Sequence, residues 1–217
     1  MTQDGDHSAP ACAPCLLDQG LGAHLPPAIQ ERLRLARIGI AGAGGLGSNV
    51  AQHLTRSGIG TLVVVDFDTV CATNLNRQFY FPDQVGQPKV VALKENLTRI
   101  CPSLCCEDHC LRLDRDNAFL LFQDCDLVVE ALDEAAAKAL LVNSLVAQGL
   151  VVIAASGIGG YGAPDSFFVR SLGKNLVVVG DGHSPSDQFV PPMSPRVGIA
   201  AAMQADLVLK YLVGTCV

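Results

Sequence analysis

The sequence predicts an α/β fold: a Rossmann-like, doubly wound and mostly parallel sheet, with extra C-terminal strands running in a different sense. Three observations predict it. Apolar runs of four to eight residues, among them "RIGIA", "TLVVVD", "CDLVVEAL" and "LVVIAAS", alternate with segments of helical length, the pattern of strands buried on both faces of a parallel sheet. The glycine cluster "GAGGLGS" follows directly on the first run and opens an amphipathic stretch, as a strand-turn-helix phosphate loop does. Hydrophobic residues make up 49% and charged residues 17% of the 217-residue chain, which suits one compact core and argues against disorder.

The elements follow in order. Residues 1 to 26 are rich in Gly, Pro, Ala and Ser and read as a mobile N-terminal arm, with residues 27 to 217 as a single domain. "PAIQERLRLAR" reads as a short helix with proline in its first turn and Ile29, Leu33 and Leu35 on one side. Then come the "RIGIA" strand, a helix to Ser57, the "TLVVVD" strand, a polar loop, the helix "QPKVVALKENLTRI", the strand "CCEDHCLRL" and a short helix around "DNAFLLF". "CDLVVEAL" is strand, "EAAAKALLVNSLVAQ" helix and "LVVIAAS" strand, with Gly149 ending the helix as a C-terminal glycine does. After Ser156 the rhythm changes to "GIGGYG", two strands "DSFFVRS" and "NLVVVG", a Pro- and Ser-rich loop from Asp181 to Pro195, and a last helix "RVGIAAAMQADLVLKYLV".

Composition excludes several classes. A formal charge of −6 leaves no basic surface for nucleic acid. The first residues have no basic start followed by an apolar core and do not read as a secretory signal, so a cytoplasmic protein is expected. No apolar window approaches the ~20 residues of a membrane-spanning helix. The nine cysteines are odd in number and irregularly spaced, which argues against a disulfide framework. "CAPC" places Cys12 and Cys15 in a lone CxxC, short of the four ligands of a structural zinc. Cys101, Cys105, Cys106 and Cys110, with His109, straddle a strand whose alternation splits them between two faces, and they read as core thiols.

The chemistry begins at the glycines. Gly42, Gly44 and Gly47 fit GxGxxG, with Gly45 as an extra, and Asp66 ends the second strand where a ribose-binding acid belongs. Glycines let the backbone approach phosphate, and the N–H groups opening the next helix carry partial positive charge. This serves ATP and a nicotinamide dinucleotide equally. "DFDTVCATNLNRQ" then puts Asn74, Asn76, Arg77 and Gln78 in a polar loop where a dehydrogenase would continue with a helix. "GQPK" places Lys89 in a helix's first turn, where the macrodipole disfavours a cation unless an anion lies near. Arg77 and Lys89 suit neutralisation of β- and γ-phosphates; the competing readings are a solvated Lys89 and an Arg77 paired with Asp66 or Asp68. Asp133 stands where the fourth strand stops and a helix starts, able either to hold Mg²⁺ or to cap the helix. Glu130, inside the strand, is expected to point elsewhere.

"GAGGLGS", "VDFDTV", "NLNRQ", "GQPK" and "EALDEA", in this order and spacing, resemble the ubiquitin-activating-like enzymes that adenylate sulfur-carrier proteins, the ThiF, MoeB and ubiquitin-activating group. The likeness runs from Ile38 to about Leu212. The tail segments "ASGIGGYG", "VVVGDG" and "PRVGIAAAMQADLVL" look closest to the short form of ThiF, whose members act on the thiamine-pathway carrier ThiS. The resemblance implies that Gly42, Gly44, Gly45 and Gly47 line an ATP site, that Asp66 binds the ribose, that Asn74, Arg77, Gln78 and Lys89 contact the phosphates, and that Asp133 holds magnesium. Arg77, Lys89 and Asp133 would be catalytic. It also implies a diglycine-tailed, ThiS-like partner and a homodimer. The chain departs from the pattern in having no paired CxxC motifs, no cysteine in the 181 to 195 loop and no clear match to an arginine that reaches a partner's site. Glycines 157, 159, 160 and 162 suggest a channel for a thin diglycine tail, and the 181 to 195 loop is either a lid or idle. An NAD-dependent oxidoreductase and a relative that activates a tRNA carboxylate are the alternatives.

Overall fold

The computed structural model describes residues 15–186 and 189–216. Seven strands, β1 (Arg37–Ala41), β2 (Thr61–Val65), β3 (Cys105–His109), β4 (Leu127–Glu130), β5 (Val152–Ala155), β6 (Phe168–Ser171) and β7 (Leu176–Gly180), form one sheet in the order β3-β2-β1-β4-β5-β7-β6. Every pairing is parallel except β6 with β7. The expected change of sense is therefore confined to β6, and β7 continues the parallel sheet.

Alternation along the strands feeds two cores. Ile38 and Ile40 of β1 are in register with Leu62 and Val64 of β2 and with Leu127 and Val129 of β4. These side chains face the larger core, shared with α2 (Pro27–Leu35), α3 (Gly45–Arg56), α4 (Lys89–Ile100) and α7 (Ser194–Val213). Val63, Val65, Val128 and Val152 face the other core, covered by α5 (Ala118–Phe122) and α6 (Ala135–Ala147). Because both faces are covered, the strands read as near-continuous apolar runs. Gly39 leaves room for the fully buried Phe122 ring, which a Cβ there would overlap. In α7, the fully buried Gln204 donates to the carbonyls of Glu130 (3.1 Å) and Ile153 (3.0 Å), tying the helix to two strands.

Several boundaries differ from expectation for physical reasons. The expected arm contains helix α1 (Leu16–Gly22), with Cys15 and Leu17 packed on the larger core; residues 1–14, including Cys12 of the CxxC, lie outside the described residues. Leu35 is 63% exposed, since two residues of helix turn it away from the buried Leu33. β3 stops at His109, which frees Leu111 and Leu113 to reach the upper sheet edge. Of the four cysteines expected to be core thiols, only Cys101, at the end of α4, and Cys106 are buried, and burial pushes the Cys106 thiol up to about 12; Cys105 points to the other face of β3 and Cys110 lies beyond the strand's end, and both are exposed. Asp133 is not the N-cap of α6, which begins at Ala135 after Glu134. Among the described residues, no helix is long and apolar enough to cross a membrane.

Candidate functional site

Strand order reverses about β1, whose neighbours β2 and β4 continue the sheet in opposite directions. In such sheets the crevice for ligands opens beyond the carboxyl ends of the strands at this point. Here a cavity of about 860 Å³ lies there, lined by Gly42, Gly44, Gly45, Asp66, Arg77, Gln78, Lys89 and Asp133, among others. Of the sequence-predicted residues, Gly47 and Asn74 do not line it.

The loop after β1 is built on backbone constraints. Gly42 has φ +100° and a Cβ there would overlap the Ala131 carbonyl after β4, so the two loops flanking the crevice touch through glycine. A Cβ at Gly47 would overlap the Gly42 carbonyl. Gly47 thus packs α3 onto β1 behind the loop, which corrects the expectation that it lines the site. Gly47→Ala is expected to cost about 2 kcal/mol of stability, read as a lowered urea midpoint, because backbone must move to admit the methyl group.

Asp66 accepts from the Ala43 N–H through Oδ2 (2.6 Å) and from the Asp68 N–H through Oδ1 (2.8 Å). A carboxylate keeps further acceptor capacity after two such bonds, so Asp66 both fixes the glycine loop and remains able to receive a ribose hydroxyl. Three residues that the sequence reading passed over complete the frame. The Ser48 hydroxyl donates to the Gly44 carbonyl (2.6 Å) and accepts from the Phe79 N–H (3.0 Å). The Asn49 amide donates to the carbonyls of Gly45 (2.7 Å) and Arg77 (2.9 Å). The buried Tyr80 hydroxyl donates to the Ala43 carbonyl (2.7 Å), and burial drives its phenol well above the ordinary value. Their only sequence signal is their position in the helix and loop that flank the glycines.

The charged residues are unequally partnered. Lys89 is not solvated: it is 6% exposed, and its Nζ donates to Asp68 Oδ2 at 2.7 Å. Arg77 pairs with neither Asp66 nor Asp68; its Nη1 donates to the Thr73 carbonyl (3.0 Å) and Asn76 Oδ1 (2.8 Å). Asn74 turns away from the cavity, accepting from the Cys71 N–H (3.1 Å) in a short 3-10 turn. That bond uses the amide oxygen, and the side chain lies outside the cavity lining. Gln78 is buried, and its Oε1 has no hydrogen-bond partner among the described residues, so the cavity holds an unpaired polar group of the kind a ligand satisfies.

Further cations line the wall. Lys138 binds the fully buried Glu130 and the Ala155 carbonyl (2.9 Å); burial pushes the Glu130 carboxyl up even with Lys138 beside it. Arg112 stacks 4.7 Å from the centre of the Phe67 ring and lies 3.6 Å from Glu134. His183 lies beside Asp181. Among the described residues lining the cavity, Arg77 is then the one basic side chain with no carboxylate partner, and Asp133 the one acid with no hydrogen-bond or ion-pair partner. That is the arrangement an anion and a cation binding together would complete: a polyphosphate at the arginine, its metal at the aspartate.

The glycines after β5 have mostly structural work. Gly157 lines the cavity, but a Cβ there would overlap Asp181, and one at Gly159 would overlap the Pro185 carbonyl. Gly160 bonds through its N–H to the Pro191 carbonyl (3.1 Å). Pro185, Val190 and Pro191 of the chain itself therefore occupy the space that was expected to be a tail channel at Gly159 and Gly160. Gly162 has open space around it but does not line the cavity.

The ThiF family model matches residues 18–216. The molybdopterin-synthase adenylyltransferase of Escherichia coli K12 is 30% identical over 197 residues, covering 85% of this chain and 76% of that protein. The adenylyltransferase and sulfurtransferase UBA4 of Eremothecium gossypii is 33% identical over 186 residues, covering 85% of this chain. The chain spans 40% of that relative's length. Among solved structures, the Escherichia coli tRNA N6-threonylcarbamoyladenosine dehydratase, crystallised with AMP, superposes with a TM-score of 0.81 at 21% identity, over 89% of this chain and 93% of that one, a likeness of fold. With a family model covering nearly the whole described chain, and with its glycine loop and polar loop at one crevice, the chain belongs to the ThiF family.

Proposed function

We propose that this protein uses ATP to adenylate the C-terminal glycine carboxylate of a sulfur-carrier protein, a diglycine-tailed ThiS-like partner, releasing pyrophosphate. One observation carries the reading: Arg77 and Asp133, each without a counter-charge, line the same cavity as the glycine loop and Asp66. A nicotinamide enzyme gives no shared task to Arg77, Lys89 and Asp133. Relatives whose names specify an adenylyltransferase, including a sulfur carrier protein adenylyltransferase of Thermus thermophilus that is 37% identical over 124 residues, support the reaction class. The tail motifs quoted above favour ThiS, and hence thiamine thiazole synthesis, as the context, with the protein acting as a homodimer.

The residues fit the chemistry. A carrier's terminal carboxylate is ionised near neutral pH, so its oxygen attacks the α-phosphorus without a general base. The new O–P bond forms as the bond to the β-phosphate's bridging oxygen breaks, and pyrophosphate leaves with the electron pair. Asp66 would hold the ribose, and the Gly42 to Gly45 backbone the phosphates. Arg77 and Lys89 would receive the charge that develops on the leaving group, Lys89 by exchanging part of its contact with Asp68 for phosphate. Asp133 would hold Mg²⁺, which when bound adds positive charge beside the departing phosphates.

The test is carrier-dependent exchange of labelled pyrophosphate into ATP, with ThiS-like carriers of intact and truncated tail. Exchange that needs the intact tail supports the proposal; tight NADH binding with no exchange sinks it. Arg77→Ala should lower exchange by about 10²-fold and leave the thermal midpoint unchanged, since Arg77 has no ion-pair partner to lose.

A further inference from the structure

Helix α1 has seven residues and no buried side chain, too short to be stable by itself in water. It lies against the turn between α4 and β3, at the sheet edge opposite the nucleotide cavity. There Cys15 Sγ stands 3.6 Å from Cys101 Sγ, at the end of α4. Asp18 Oδ2 accepts from the Cys15 N–H at 2.8 Å and from the Ser103 hydroxyl at 3.3 Å, and Ser103 Oγ is 3.2 Å from Cys101 Sγ. One ligand atom each from Cys15, Asp18 and Cys101 falls within 4.8 Å of the others, the one such group among the described residues.

We propose that Cys15, Asp18 and Cys101 form a binding site for a thiophilic divalent cation, zinc, that fastens α1 to the α4–β3 turn. The sulfur spacing carries the argument. Two thiolates on a tetrahedral zinc with Zn–S bonds of about 2.3 Å stand about 3.8 Å apart, close to the 3.6 Å found. A disulfide would need the sulfurs to close to about 2.05 Å. Asp18 supplies a third, hard donor on the same side, and Ser103 contacts two of the three ligands as an orienting partner does; with water in the fourth tetrahedral position the site is one protein ligand short of a closed structural zinc and is expected to bind more weakly than one. The cation binds as the two thiols release their protons to solvent, so affinity rises with pH. The site sits away from Arg77 and Asp133, and its work is to hold the N-terminal helix in place.

The full chain, reduced and stripped of metal, is titrated with zinc chloride against a chromophoric chelator, and cobalt(II) is substituted to read thiolate-to-metal charge transfer. One zinc per chain is expected, with a cobalt spectrum of tetrahedral thiolate type. Cys15→Ser, Cys101→Ser and Asp18→Asn should each weaken binding at least tenfold, and zinc should raise the thermal midpoint of the unmodified chain but not of Cys15→Ser. Circular dichroism checks folding; if the buried Cys101→Ser unfolds, the half-buried Cys15→Ser and Asp18→Asn carry the test. The proposal is overturned if no zinc is retained at micromolar concentration, if Cys15→Ser binds as the unmodified chain does, or if peptide mapping without reductant finds a Cys15–Cys101 disulfide and no metal.

Discussion

Asp133→Ala is expected to lower the rate of the proposed pyrophosphate exchange by about 10³-fold and to leave the fold intact. The size follows from the proposed role: a carboxylate that places a divalent cation on the leaving phosphates would act on charge that develops in the transition state, where one well-placed electrostatic contact weighs most. The intact fold follows from the geometry. Asp133 is exposed, caps no helix and has no hydrogen-bond or ion-pair partner among the described residues, and surface changes of this kind shift stability by less than about 0.5 kcal/mol. Asp133→Asn separates charge from shape, since it keeps the side chain's size and should restore little activity even at raised magnesium. Wild-type exchange in either variant would take Asp133 out of the site, and a large fall in the thermal midpoint would make its role structural.

Arg196→Ala should have the largest effect on stability, about 3 to 5 kcal/mol, because it strands a buried carboxylate. Arg196 and Asp181 are 5% and 6% exposed and paired. Arg196 also donates to the Ala163 carbonyl (2.8 Å) and Ser166 Oγ (3.0 Å), and stacks 4.2 Å from the centre of the Phe167 ring. The pair joins the end of β7 and the start of α7 to the segment before β6. Burial alone would raise the Asp181 carboxyl, but the Ser184 hydroxyl and the N–H groups of Ser184 and His183 hold it down at about 2. A depressed carboxyl contributes stability above its unfolded value of about 3.9, and loses that contribution as pH falls through the folded value. Asp181 ionisation should therefore contribute about 2 kcal/mol at neutral pH, lost between about pH 4 and pH 2. Urea unfolding across that range should show the slope in the unmodified chain and a shallower one in Asp181→Asn. Equal slopes would mean that Asp181 is not held ionised by its neighbours.

Local pattern was enough for the sheet and the phosphate loop. The central strands β1, β2, β4 and β5 announced themselves as short apolar runs because both of their faces are covered, whereas the edge strand β3 carries Glu107, Asp108 and His109; Gly42, Gly44 and Asp66 were legible because a strand, a tight turn and a helix must follow one another in sequence. Arg77, Lys89 and Asp133 were placed at one edge by the same logic, since each follows the carboxyl end of a strand. The pairings were not legible. Asp68 reaches Lys89 across 21 residues, Arg112 reaches Phe67 from the end of β3, and Asn74 turns inward on its own 3-10 turn. The glycines at 159 and 160 looked like room for a visitor, yet Pro185, Val190 and Pro191 of the chain itself take that room.

By itself the sequence determined the order of strands and helices, the turn that brings backbone to phosphate, and the set of charged residues at the sheet's carboxyl edge, all consequences of short-range sterics and hydrophobic alternation. Only the tertiary structure decided which of those charges are spent on one another. It left Arg77 and Asp133 unpaired, and it set Cys15 beside Cys101 at the far edge, because charge compensation and ligand geometry depend on distances between residues far apart in the chain, which only the packed fold sets.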